Sequence, residues 1–192
     1  MKQDDELLQQ LEEDAEPVEI ASYSSEQGIY GFFLHSGSLP VGVETLAAAK
    51  SSVLLYIGKT ESSQEDRDVG EHLTDGKTGS STVRRSLGAL LREQLNLKPQ
   101  PRSATEKSAK RFTNYKFDAA GEGALTVWMK KHLSLSFCEL ADLKIPELRA
   151  LEKRLIGLAK PPLNIQDNSE SPYLADLESA RAHCAALARE CT

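Results

Sequence analysis

Ile29-Tyr30-Gly31-Phe32-Phe33-Leu34 and Val53-Leu54-Leu55-Tyr56-Ile57 decide how this chain folds. Both runs are short, β-branched and aromatic, and Gly, Ser or Pro bound them, which is how strands read. Each contains or adjoins a three-residue word, Gly28-Ile29-Tyr30 in the first and Tyr56-Ile57-Gly58 in the second. The connection, residues 36–52, is long, rich in Gly, Ser and Ala, and contains Pro40. Two strands joined in this way most simply form an antiparallel pair with an elaborated connection. That pairing would bring Tyr30, Tyr56 and Lys59 to the rim of one small sheet.

The 192 residues suffice for one domain with a real core, and the 40% hydrophobic and 27% charged content is ordinary for a soluble globular protein. No apolar run approaches the ~20 residues of a membrane span, so no membrane partner is expected. Lys2 is followed by Asp4, Asp5 and Glu6, which does not read as a secretion signal. Cys138, Cys184 and Cys191 are odd in number, widely spaced and without a zinc pattern, so a cytoplasmic location is expected. The net charge of −6 argues against generic nucleic-acid binding, but the charge is uneven. Residues 1–26 are strongly acidic and read as a mobile or loosely docked arm. Between Lys77 and Phe117 basic residues dominate, among them Arg84, Arg85, Arg92, Lys107, Lys110 and Arg111.

Beyond the second strand, a polar turn leads into residues 64–73, where a short helix would carry Arg67 and His72. Thr74 to Gly79 break it, and Ser80-Ser81-Thr82 offer caps for a helix over 83–97. Its apolar residues Val83, Leu87, Leu90, Leu91 and Leu95 form one stripe. Arg85 and Arg92 should face solvent, and Arg84 falls beside the stripe. Pro99 and Pro101 stop this helix. Phe112, Tyr115 and Phe117 suggest a strand and 124–132 a short helix. The alternation in Leu133–Cys138 suggests a half-exposed strand. Pro146 opens a helix with Leu148, Leu151, Leu155 and Ile156 toward the core, and a last helix follows Ser171-Pro172.

Glu152 lies beside the apolar stripe of the helix opened by Pro146. A carboxylate there needs a partner, either a nearby Lys or Arg or a cation. Pro161-Pro162-Leu163-Asn164 follow. With the two upstream words in the same order, this arrangement resembles the GIY-YIG nucleases, whose third signature is a helix bearing a metal-binding Glu followed by an Asn in a loop. The resemblance spans residues 27–166. It implies a mixed α/β (α+β) fold, with a three-stranded antiparallel sheet flanked by helices and Leu133–Cys138 as third strand. The domain would run from 27 to 168 with an insertion at about 98–132. The acidic arm 1–26 would precede it, and a C-terminal helix within 169–192 would follow.

The resemblance also implies a metal-dependent DNA endonuclease of restriction, defence, mobile-element or repair type. Its site would comprise Tyr30, Tyr56, Lys59, Arg67, His72, Glu152 and Asn164, with one Mg2+ (or Mn2+) on Glu152. Magnesium suits a single carboxylate with several retained waters. A general base is assigned to one of the two tyrosines, and a neighbouring Lys59 and Arg67 with a metal close by would favour the phenolate. Arg67 with His72 is the first candidate for the phosphate clamp and Arg84 its rival. Asn164 reads either as a ligand neighbour or as a brace for its loop. Arg84, Arg85, Arg92, Lys107, Lys110 and Arg111 would contact DNA phosphates. A homodimer or a protein partner is left open. The competing function is a non-catalytic nucleic-acid-binding module on the same fold.

Overall fold

Gly28–Leu34 are buried along their whole length because the strand they form has a neighbour on each edge and a helical layer on each face. In the computed structural model, residues 2–21, 23–42, 44–48, 51–63 and 71–191 are described. In chain order the elements are α1 (Lys2–Glu13), β1 (Glu16–Pro17), β2 (Gly28–Leu34), β3 (Ser38–Val41), β4 (Glu44–Ala47), β5 (Val53–Thr60), α2 (Thr82–Leu90), β6 (Pro99–Gln100), α3 (Lys110–Thr113), β7 (Lys116–Phe117), α4 (Ala119–His132), β8 (Leu133–Glu139), α5 (Ile145–Ala159) and α6 (Leu174–Glu190). The main sheet is antiparallel with order β1-β8-β2-β5. It therefore holds the three expected strands and a fourth, two residues long, from the acidic N-terminal stretch.

The period-two pattern of β2 divides the core. Tyr30, Phe32 and Leu34 enter one cluster, with Val83 and Leu87 of α2, Leu125 and Met129 of α4, and Cys184 and Ala188 of α6. Ile29 and Phe33 enter the other, with Leu11 of α1 and Leu148, Leu151, Leu155 and Ile156 of α5. Amphipathic helices thus cover both faces, as a mixed α/β architecture requires. The acidic stretch is not a loose arm: α1 lays Leu11, only 1% exposed, against the sheet. Its acidic side stays outward, and Asp4 pairs with Arg154 of α5.

Register between β2 and β5 slips between Phe32 and Phe33, where Phe32 faces Tyr56 but Phe33 faces Leu54. Leu55 is the extra residue, a β-bulge that resets the alternation. The bulge lets Leu55 and Tyr56 both join the cluster that contains Tyr30. Opposite Tyr30 stands Gly58, and a Cβ there would collide with the tyrosine's Cζ and hydroxyl. Glycine in the second word is thus required by the aromatic ring of the first.

Several local expectations shift. The connection 36–52 contains the β3–β4 hairpin. The first long helix ends at Leu90, and turns carry the chain on to Asn96, which adopts a left-handed φ of 51°. The strand suspected around Phe112–Phe117 is the two-residue β7, paired with β6. The next helix begins earlier than expected, at Ala119, because Asp118 caps it by accepting from the Gly121 amide.

Candidate active site

Five elements meet at the β5 edge of the main sheet, among them α6, which carries Arg181. β5 supplies Tyr56 and Lys59, and α5 supplies Glu152. The loop after α5 supplies Asn164, and the start of α2 supplies Thr82. Tyr56, Thr82, Glu152, Asn164, Asp167 and Arg181 line a cleft of about 300 Å³. Lys59 Nζ lies 3.0 Å from Glu152 Oε2 and 3.7 Å from Glu61 Oε1. Lys59 and Glu152 are each about one-fifth exposed, so the pair is reachable from solvent.

Tyr56 is 8% exposed and faces this cleft, whereas Tyr30 has no exposed surface and stands one ring behind, with centroids 6.2 Å apart. The Tyr30 hydroxyl is 2.9 Å from His72 Nε2, and His72 Nδ1 is 2.7 Å from Ser81 Oγ. All three groups are buried, so this chain of polar atoms runs inward from the site through apolar surroundings. Ser81 also caps α2 by accepting from the Arg84 amide, which fixes the end of the chain to a helix terminus. Either histidine tautomer completes the chain, because tyrosine and serine hydroxyls both donate and accept.

Asn164 acts as a brace. Its Oδ1 accepts from the Ile57 amide at 2.9 Å and its Nδ2 donates to the Ile57 carbonyl at 2.8 Å. β5 is a sheet edge, so these bonds and the Leu163 amide on the Leu55 carbonyl replace the missing neighbouring strand. They hold the second three-residue word against the loop that follows α5.

The arginines require correction. Arg67 lies outside the described residues. Arg84 is fully buried and is no phosphate contact: its guanidinium pairs with Glu122 of α4 at 2.8 Å and also donates to Thr78, Thr126 and the His72 carbonyl. Arg85, expected in solvent, is only 7% exposed and donates to the Thr78 and Gly79 carbonyls. Burial is the main reason its pKa is pushed down to about 10, and the charge of Arg181 adds to that. Arg92 is half-buried beside Glu93. Lys107 and Lys110 are exposed, and Arg111 stacks on Phe112, 4.4 Å from the ring centre.

Arg181 is the cleft residue that sequence reasoning missed. It sits between Leu177 and Cys184 at helical spacing, on the side of α6 that also buries Ala188. An arginine on an apolar helical stripe was the available signal.

A divalent ion fits this cleft in a restricted way. Glu152 is a carboxylate on the cleft wall with one lysine beside it, while Asn164 has spent both amide atoms on Ile57. Asp167 pairs with Lys153 at 2.9 Å. Among the described residues no group of three or more His, Cys, Asp or Glu side chains is placed to hold a metal ion together. The donor set suits an ion that takes one carboxylate and keeps most of its water, as magnesium does.

Comparison with curated proteins and with solved structures returns no match. The family model for the GIY-YIG catalytic domain, however, matches residues 28–183, from the first residue of β2 to within α6. That span contains both tyrosines, Lys59, His72, Glu152, Asn164 and Arg181. With that model covering most of the chain, the chain is a member of the GIY-YIG family.

Proposed function

We propose that this protein is a DNA endonuclease that hydrolyses phosphodiester bonds with a divalent ion, Mg2+ or Mn2+, held by Glu152. The observation that carries the reading is that Tyr56 and Glu152 line one cleft, with Lys59 paired to that Glu152, in a member of a nuclease family. Phosphodiester hydrolysis forms a bond from water oxygen to phosphorus and breaks the bond to the 3′ oxygen. The water proton must be taken up, the added phosphate charge neutralised, and the departing oxygen protonated from solvent. Glu152 would hold the ion, which when bound would supply Lewis acidity to the reacting phosphate.

The chain's own residues do the rest. Tyr56 is assigned the general base, because it lines the cleft where a water and a phosphate would meet. Lys59 is paired with Glu152 and would share that carboxylate with the ion. Tyr30 and His72 are buried, so they act as positioning residues that hold the base layer in place. Asn164 fixes the strand on which Tyr56 and Lys59 ride. Lys107, Lys110 and Arg111 on the 98–132 segment are assigned to the DNA backbone rather than to chemistry.

The cysteines Cys138, Cys184 and Cys191 are free thiols, which supports assignment to a reducing, cytoplasmic setting. No helix among the described residues is long and apolar enough to cross a membrane. The test is cleavage of supercoiled plasmid by the purified chain with magnesium or manganese, repeated with excess chelator. Scission that disappears with chelator is the expected result. Binding without scission in either metal would leave the non-catalytic module as the correct reading.

A further inference from the structure

Arg181 comes from the C-terminal helix, beyond Asn164 but still within the family span, and it reaches the same cleft as Tyr56 and Glu152. It is half-buried, and its hydrogen bond to Ser86 Oγ is long, at 3.4 Å. Among the described residues no carboxylate forms a salt bridge with it. Desolvation lowers its pKa first, and the nearby Tyr115 and Tyr56 hydroxyls offset part of that effect, with Glu178 adding least. Arg85 is a buried neighbour on which the charge of Arg181 acts; among the described residues no carboxylate forms a salt bridge with Arg85 either, and its Nε is unpartnered.

Among the described residues, two neighbouring guanidiniums are desolvated and neither forms a salt bridge, an arrangement that is costly to maintain. Arg84, one residue from Arg85, shows the contrast, since Glu122 satisfies it. A half-buried guanidinium on a cleft wall, in no salt bridge with a described carboxylate, is placed to meet an anion that enters the cleft. The planar fork of an arginine matches two oxygens of a phosphate.

We infer that Arg181 is the residue that binds the phosphate in this cleft, with its buried neighbour Arg85 raising the positive potential. The C-terminal helix thereby becomes part of the site instead of an appendage to it. The assignment rests on the endonuclease reading only in calling that phosphate the scissile one. Its anion-binding content stands apart from catalysis.

The test measures duplex DNA binding in chelator as a function of salt, alongside plasmid cleavage in magnesium, for wild type, Arg181→Met and Arg181→Lys. Protection of Cys184 from thiol reagents reports whether α6 stays docked, because that thiol is fully buried and its pKa is raised to about 11. With Cys184 protected, Arg181→Met should bind about 10- to 100-fold more weakly. The logarithmic salt slope should also become shallower by about 0.9. Arg181→Lys should keep the slope, because charge remains, but cleave at least about tenfold more slowly, because the fork is lost.

A docked Arg181→Met protein with wild-type affinity and slope overturns the inference. If that variant does not fold, Arg181→Lys decides: cleavage at the wild-type rate overturns the inference, and slowed cleavage with an unchanged slope supports it. A wild-type protein that never cuts, yet loses DNA when Arg181 is changed, refutes the endonuclease reading and leaves the phosphate site standing. A protein that cuts equally well with and without Arg181 does the reverse.

Discussion

Asn164 and Ile57 are joined by two hydrogen bonds, side-chain amide to backbone amide, at 2.9 and 2.8 Å. Both residues are buried, so neither bond can be exchanged for water without cost. An asparagine amide carries one acceptor and one donor, as a peptide group does, and here it stands in for a strand at the open edge of β5.

Replacement Asn164→Asp keeps the shape but removes the donor and sets a carboxylate oxygen against the Ile57 carbonyl. We expect a loss of about 1–3 kcal/mol in stability, read from the denaturant midpoint. An unchanged midpoint would show that these bonds contribute nothing and that Asn164 serves another purpose.

Glu152→Gln should leave the fold intact and abolish cleavage. Glutamine can still accept from Lys59, so the cleft wall should survive while the charge that holds an ion is lost. Circular dichroism and the thermal midpoint check the fold, and plasmid scission checks the activity. Undiminished scission by the folded variant would remove Glu152 from the metal assignment.

The two tyrosines should separate. Tyr56→Phe removes the assigned base at nearly constant volume, and such losses amount to ~10²–10⁴-fold in rate. Tyr30→Phe takes away the hydroxyl that meets His72 Nε2 in a buried site, so it should lower stability by about 1–3 kcal/mol with a smaller effect on rate. Single-turnover cleavage paired with thermal melting checks both variants. The reverse pattern would move the base to Tyr30.

Arg84→Met and Glu122→Gln should each cost about 3–5 kcal/mol, because each strands a buried charge or donor set. Urea titrations measure this. A variant at Arg84 that folds normally but loses DNA would contradict its structural role.

Changing Lys107, Lys110 and Arg111 together to Ala should weaken DNA binding for all sequences. The salt slope should flatten by about 0.9 for each phosphate that is no longer neutralised. Filter binding or anisotropy across a salt series is sufficient. Unchanged affinity with an unchanged slope would mark the block as solvated surface.

The two strands β2 and β5 were legible because their apolar residues and bounding glycines carry the information locally. Leu148, Leu151, Leu155 and Ile156 likewise announce the buried face of α5. The two-residue strands β1, β6 and β7 were not legible, since a ladder that short leaves no periodicity to read. Gly121 and Gly123 weaken the local helix signal over the first turns of α4, where the Asp118 cap and tertiary packing decide. The arginines show the deeper limit. Spacing places Arg84 and Arg181 alike beside apolar stripes, but only the folded chain reveals that Glu122 satisfies the first and that no described carboxylate forms a salt bridge with the second.

β2 has consequences for how the molecule opens. Its amides and carbonyls are committed to two neighbours, and all seven residues are buried between helical layers. Partial opening of the molecule has no route to this strand that spares the rest. Its amide protons should exchange with deuterium only through global unfolding, at the free energy of the whole domain. The first of the two signature tyrosines is therefore held in the segment that breathes least, and any motion that admits DNA must come from the loops and helices around it.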